Sequence, residues 1–175
     1  MLIIKKCSIL QYDKTIVLRF VTKGNSMTAF LNRIGPKIKI ANTLIEKELN
    51  KQFAEIFRDY SLTGAQISLM IYLYESKARQ ITQKEVADAF VLSHPTIRGI
   101  VKRLEVNKLI ATSRLENDQR QIVLKLSDKG FNLIDKNIVK IRSIMTNVNT
   151  RITKGLSDRE ISELEQVLSK ISANF

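Results

Sequence analysis

One short signature occurs three times in the chain, and it constrains the fold more than any other feature. "LTGAQI" sets Thr63 three residues before Gln66, with Leu62 and Ile67 flanking. "ITQKEV" repeats the arrangement with Thr82, Glu85, Ile81 and Val86, and "LSDREI" repeats it with Ser157, Glu160, Leu156 and Ile161. In each, the hydroxyl can accept from the third helical amide while the Gln or Glu side chain reaches back to the capping residue. The apolar pair then fixes the angle at which the chain runs into the helix. Every copy precedes apolar residues at helical spacing. The chain is therefore expected to be mainly α, with helices over about 63–75, 82–90, 94–107, 128–152 and 157–173.

An earlier helix is written by Ile34, Ile38, Ala41, Ile45, Leu49, Phe53 and Ile56, spaced by three or four. Pro36 suits its first turn, where a missing N–H costs nothing. Its apolar face over 36–57, widened by Ile40 and Leu44, is longer than the core of a small domain uses, and contact with a second chain is its natural use. Only Leu109 to Leu126 reads as sheet: Ile122, Leu124 and Leu126 alternate with polar residues, and "ENDQ" supplies a turn. A third short strand is expected near Gln80 to Thr82. Residues 1–26 alternate loosely, as in "KTIVLRFV", and break at "TKGNS". They read as an appendage of one or two short strands, with a packed hairpin as the alternative, and 28–175 as the main domain.

A formal net charge of +12 favours a polyanionic partner. The excess is spread along the chain and forms no basic tail. Cys7 is the only cysteine, so no disulfide can form within the chain, which suits a reducing, cytoplasmic setting. His94 is the only histidine, which removes a His-rich metal site; no metal or cofactor is expected. The N-terminal apolar run is cut by Lys5 and Lys6, a poor signal peptide, and no run approaches the roughly 20 apolar residues of a membrane span. An enzyme lacks its parts: there is no phosphate-cradling glycine loop and no evident carboxylate pair.

Helix 82–90, the turn "VLS" and a helix capped by Ser93 make a helix-turn-helix. On the second helix Ile97, Val101 and Leu104 form a stripe to be buried. Pro95, Thr96, Arg98, Gly99, Lys102 and Arg103 lie opposite, small and polar near the N-terminus and cationic beyond. A charged helix face alone is ordinary solvated surface. The order of elements changes the reading, because a β-hairpin carrying an arginine at its turn follows at once. A helix can lie in the major groove while the hairpin reaches an adjacent minor groove. The fold expected is a winged helix-turn-helix over about 60–127, framed by long helices over about 35–57 and 128–174.

"LSHPTIRGIVKRLEVNKLI" followed by "LENDQRQIVLKLSDKG" resembles the MarR family of bacterial transcription regulators. The resemblance is carried by Ser93, Pro95, Thr96, Ile97, Leu104, Glu105, Leu109, Ile110, Asp118, Arg120, Leu126, Ser127 and Gly130, and covers about residues 30–173. Lys108 stands where the family commonly has glycine, which leaves the preceding helix end less well specified. Ser127 replaces the usual threonine.

The resemblance implies a homodimer on a pseudo-palindromic duplex, with recognition helices one DNA turn apart, roughly 34–36 Å. Ile38, Ile45, Leu49, Leu164 and Leu168 are the expected dimer contacts. Arg120 would enter the minor groove, with Asp118 restraining it. Thr96 and Arg98 would read bases, while Ser93, Lys102 and Arg103 would hold phosphate; Pro95 lies on the same face. His94 reads as an exposed first-turn residue without a role. The family also implies regulation, most often repression relieved by a small lipophilic or phenolic effector. Tyr72 and Tyr74 lie in the corresponding region, but aromatic residues at helical spacing are more often core. A winged-helix architectural protein that binds duplex without promoter specificity is the alternative.

Overall fold

The structure, a computed structural model, describes residues 26–76 and 79–175. The short strands expected at the N-terminus, and Cys7, lie outside them. The first described element is a short helix, α1 (Ser26–Leu31), which begins inside the segment read as an appendage. Helix α2 (Ile34–Ile56) follows and lies within one residue of the expected bounds of about 35–57. Between Ile34 and Leu44 its apolar side chains Ile34, Ile38, Ile40 and Leu44 are exposed.

From Ile45 onward the chain packs as one unit. Its elements are the end of α2, a 3-10 turn (Arg58–Tyr60), α3 (Gly64–Glu75), β1 (Ile81–Thr82), α4 (Gln83–Ala89), α5 (His94–Val106), β2 (Ile110–Leu115), β3 (Asp118–Leu126), α6 (Asp128–Ile152) and α7 (Asp158–Ser172). The architecture is mainly helical with a small sheet, as the sequence implies.

The three capping signatures all mark helix starts, but they do not behave alike. At α3 the Gln66 Oε1 accepts from the Thr63 amide at 2.8 Å and from its hydroxyl at 3.1 Å. At α7 the Glu160 carboxylate accepts from the Ser157 amide (2.8 Å) and hydroxyl (2.7 Å). At α4 only half of the box forms. The Thr82 hydroxyl accepts from the Glu85 amide at 3.1 Å, but the Glu85 carboxylate turns to the Arg79 guanidinium and the Tyr72 hydroxyl instead. A cationic donor within reach is a stronger partner for a carboxylate than a neutral amide.

The core lies where α3, α5, α6 and the sheet meet. Ile67, Ile97, Leu104, Leu109, Ile134 and Ile141 are wholly buried, each worth about 1.5–3 kcal/mol of apolar transfer. The sheet is antiparallel in the order β1-β3-β2. Ile81 faces Leu124, and Ile110 faces Leu126, so the apolar positions of three strands turn to one face. Tyr74 is buried there too, 5.3 Å from the Phe131 ring, with its hydroxyl donating to Asp135 at 2.5 Å. That hydrogen bond to a carboxylate, followed by burial, raises the Tyr74 pKa.

Lys108 does not leave the end of α5 loose. It takes a left-handed conformation (φ +56°), the Leu109 amide donates to the Leu104 carbonyl at 2.9 Å, and the Lys108 amide donates to Glu105 at 2.8 Å. This is the Schellman closure that glycine usually makes, completed by burial of both Leu104 and Leu109. The next three carbonyls are taken by the start of α6. Lys129 Nζ donates to Asn107 at 3.1 Å, Ser127 Oγ to Lys108 at 2.7 Å and the Ser127 amide to Leu109 at 3.1 Å. Gly130 permits the approach, since a Cβ there would lie 1.9 Å from the Leu109 carbonyl oxygen.

Helix α7 buries none of its residues. Leu164, Val167 and Leu168 line an exposed apolar face along it. An ion pair of 2.7 Å between Arg151 and Glu48 ties the end of α6 to α2.

Candidate nucleic-acid interface

Helix α5 is fixed by its inner stripe. Ile97, Val101 and Leu104 are buried, which turns Arg98, Gly99, Lys102 and Arg103 outward. Ser93 caps the helix: its hydroxyl accepts from the Thr96 amide at 3.4 Å and lies 2.8 Å from the Thr96 hydroxyl. Ser93, Pro95 and Thr96 are all exposed, so one end of the helix presents two small hydroxyls at the surface. His94 is exposed beside them. A Cβ added at Gly99 would meet nothing within 4 Å. The glycine therefore satisfies no packing demand inside the chain; it leaves the outer face of the helix low. Beside it, Lys102 and Arg103 border an open depression of about 570 Å³ that reaches Tyr60 and Gln66.

The hairpin that follows is long and closes on Glu116 and Asn117 alone. Asp118 and Gln119, expected in the turn, already belong to β3, and Arg120 is that strand's third residue and not its tip. A slip in register between Arg114 and Leu115 shortens the loop. Asp118 acts on the backbone of its neighbour. One carboxylate oxygen accepts from the Arg120 amide at 3.0 Å and the other from Gln121 Nε2 at 3.0 Å. The Gln121 and Arg120 bonds hold the carboxyl below its ordinary pKa. The Arg120 guanidinium takes no partner among the described residues. Arg114, which sequence reasoning passed over, extends from β2 and donates to the Gln119 carbonyl at 3.1 Å. The wing thus carries two arginines near its end. Its place two residues before the "ENDQ" turn was in the sequence; the pairing register adds that it lies opposite Ile122.

Helix and wing are joined by a bond of 2.6 Å from the Thr112 hydroxyl to the Glu105 carboxylate. That contact gives Glu105 a role the sequence pattern alone does not explain.

Tyr72 and Tyr74 serve packing. Tyr72 meets Phe90 edge-on at 5.6 Å and bonds Glu85, and Tyr74 is spent on Phe131 and Asp135. Among the described residues, no group of three or more His, Cys, Asp or Glu is placed to hold a metal ion. Nor, among them, is any helix long and apolar enough to cross a membrane.

A two-helix unit with a cationic outer face, followed at once by a wing bearing arginines, defines a winged helix-turn-helix transcription regulator that binds DNA. Comparison with known proteins agrees. The family model for the transcriptional regulator SarA/Rot matches residues 51–137. The transcriptional regulator MgrA of Staphylococcus aureus is 26% identical over 133 residues, covering 74% of this chain and 84% of MgrA. The transcription regulator MarR from Oenococcus oeni PSU-1 is 27% identical with a TM-score of 0.61, covering 81% of this chain and 99% of that one. The S. aureus MepR–DNA complex, at 20% identity, shares the fold with a TM-score of 0.69, covering 82% of this chain and 98% of that one. The chain is a transcription regulator of the MarR/SarA type, with the winged-helix fold of the MarR regulators.

Proposed function

We propose that this protein is a sequence-specific regulator of transcription, acting in the cytoplasm as a homodimer on a pseudo-palindromic operator. The observation that carries the DNA half of this reading is the outer face of α5. It combines exposed hydroxyls, three exposed cations and a glycine whose missing side chain no neighbour requires. Thr96 and Arg98 read base edges; Ser93, Lys102 and Arg103 hold phosphates, with Pro95 stiffening the first turn. Arg120 enters the minor groove, its backbone fixed by Asp118, and Arg114 follows it onto the phosphates.

The dimer half of the reading is supported by α7. An apolar face along a helix with no buried residue is a surface awaiting cover, and Leu164 and Leu168 lie on it. Ile38 and Ile45 supply the corresponding face of α2, and Leu49, half-buried against the chain's own core, borders it. Residues 28–175 then form the regulator, with about 60–127 addressing the duplex. As a repressor it would leave its operator when a small lipophilic or phenolic effector changes the spacing of the two recognition helices.

Selection of bound duplexes from a random pool, followed by footprinting, tests the reading. A short palindromic footprint is expected. Even coating of any duplex would replace it with the architectural alternative, and no duplex affinity at low salt would end it.

A further inference from the structure

Val91, in the turn between α4 and α5, is held in a left-handed conformation, with φ +50°. For a β-branched residue this is a genuine outlier, because the side chain crowds its own backbone. The turn itself demands the conformation. The Leu92 amide donates to Ala87 at 2.8 Å and the Val91 amide to Asp88 at 3.2 Å, closing α4 in the pattern that glycine makes without strain. Nothing in the fold compensates for the valine. Phe90 turns inward against Tyr72 and Leu92 packs against the core, but the Val91 side chain is 92% exposed. An isopropyl group is thus kept in solvent at the one place in the turn where it costs backbone energy.

Its position is informative. Val91 lies two residues before Ser93, the cap of α5, at the end of the helix that a helix-turn-helix applies to base edges. The neighbouring groups are hydrogen-bonding: Ser93, Thr96 and Arg98. Pro95 in the first turn and Val91 are the apolar groups among them; Val91 is the one held out at a cost in backbone energy, and its branched Cβ leaves it few rotamers. The major-groove edge of DNA offers one apolar group, the 5-methyl of thymine. We infer that Val91 is a specificity-determining residue of the DNA interface that contacts a thymine methyl in each half-site. The inference rests on the DNA-binding reading given above.

The test uses the full chain and a duplex selected by the wild type. Val91→Gly and Val91→Asn both tolerate the left-handed backbone and both remove the methyls. Binding is measured by fluorescence anisotropy on the duplex and on versions in which each thymine in turn is replaced by deoxyuridine. Val91→Gly is expected to melt about 1–3 °C higher than the wild type. It is expected to bind the selected duplex about three- to tenfold more weakly, as the loss of a small buried apolar contact requires. The wild type should lose a similar factor at one thymine per half-site when that base becomes deoxyuridine, and the two variants should be indifferent to the change. Undiminished binding by Val91→Gly and Val91→Asn, or a wild type blind to every deoxyuridine, overturns the inference and leaves the DNA-binding reading standing. A wild type that binds no duplex overturns both.

Discussion

Helices α5 and α7 are built from similar instructions. Each is capped by a serine, they run 13 and 15 residues, and each is amphipathic. Their fates differ. Helix α5 buries Ile97, Val101 and Leu104 within its own chain and keeps a cationic face outside. Helix α7 buries nothing and keeps an apolar face outside. Local sequence decides that a helix forms and where it starts, and the unburied face then decides what it can meet. A cationic remainder suits a polyanion. An apolar remainder on a helix of about 15 residues, marginal in water alone, suits another protein surface.

The largest effect should come from reversing that remainder on α7. Leu164→Asp combined with Leu168→Asp is expected to yield monomers by light scattering and to weaken operator binding by about 100-fold or more, since two half-sites can no longer be held together. A double variant that stays dimeric would remove α7 from the interface.

Next in size is the wing. Arg120→Ala should weaken operator binding by about 1–3 kcal/mol while the thermal melt stays unchanged. If fold and affinity fell together, Arg120 would be a structural residue.

On α5 itself, Gly99→Ala should stabilise the protein by up to about 1 kcal/mol, because alanine is the better helix former and the space is open. The same change should weaken duplex binding by raising the outer face. Unchanged binding would show that DNA does not approach the helix there.

The smallest effect sharpens the comparison from the α7 side. The Ser157 amide and hydroxyl hold Glu160 below its ordinary pKa of 4.5. A carboxylate with a depressed folded pKa contributes stability that is complete above its ordinary value and is lost as pH falls through the depressed one. Melting temperature should therefore fall more steeply below about pH 4.5 in the wild type than in Glu160→Gln, which has no carboxylate to titrate. Parallel curves would show the capping box to be without consequence for stability.

Much of this was legible in the sequence. The helix starts were written as hydroxyl and carboxamide or carboxylate pairs, and the wing as an alternating run bounded by a polar turn. The exposed and buried sides of α5 followed from the spacing of Ile97, Val101 and Leu104. Three things were not legible, each for a physical reason. Glu85 has two possible uses, and only the fold brings Arg79 and Tyr72 close enough to choose between them. Left-handed turns are read from glycine, and Val91 and Lys108 hide two of them. Arg114 lay inside the expected hairpin, but its bond to the Gln119 carbonyl depends on a register slip that alternation does not show.

The joint between α5 and α6 has a mechanical consequence. Three successive carbonyls at the end of one helix are gripped by the first residues of the next, and Gly130 lets the backbones touch. Such a joint has no slack to bend. Helix α6, at 25 residues roughly 37 Å long, then works as a crank. A sideways shift of about 2 Å at its far end swings it by roughly 3°, and α5 must turn with it. Whatever moves the far end of α6 re-aims the outer face of α5.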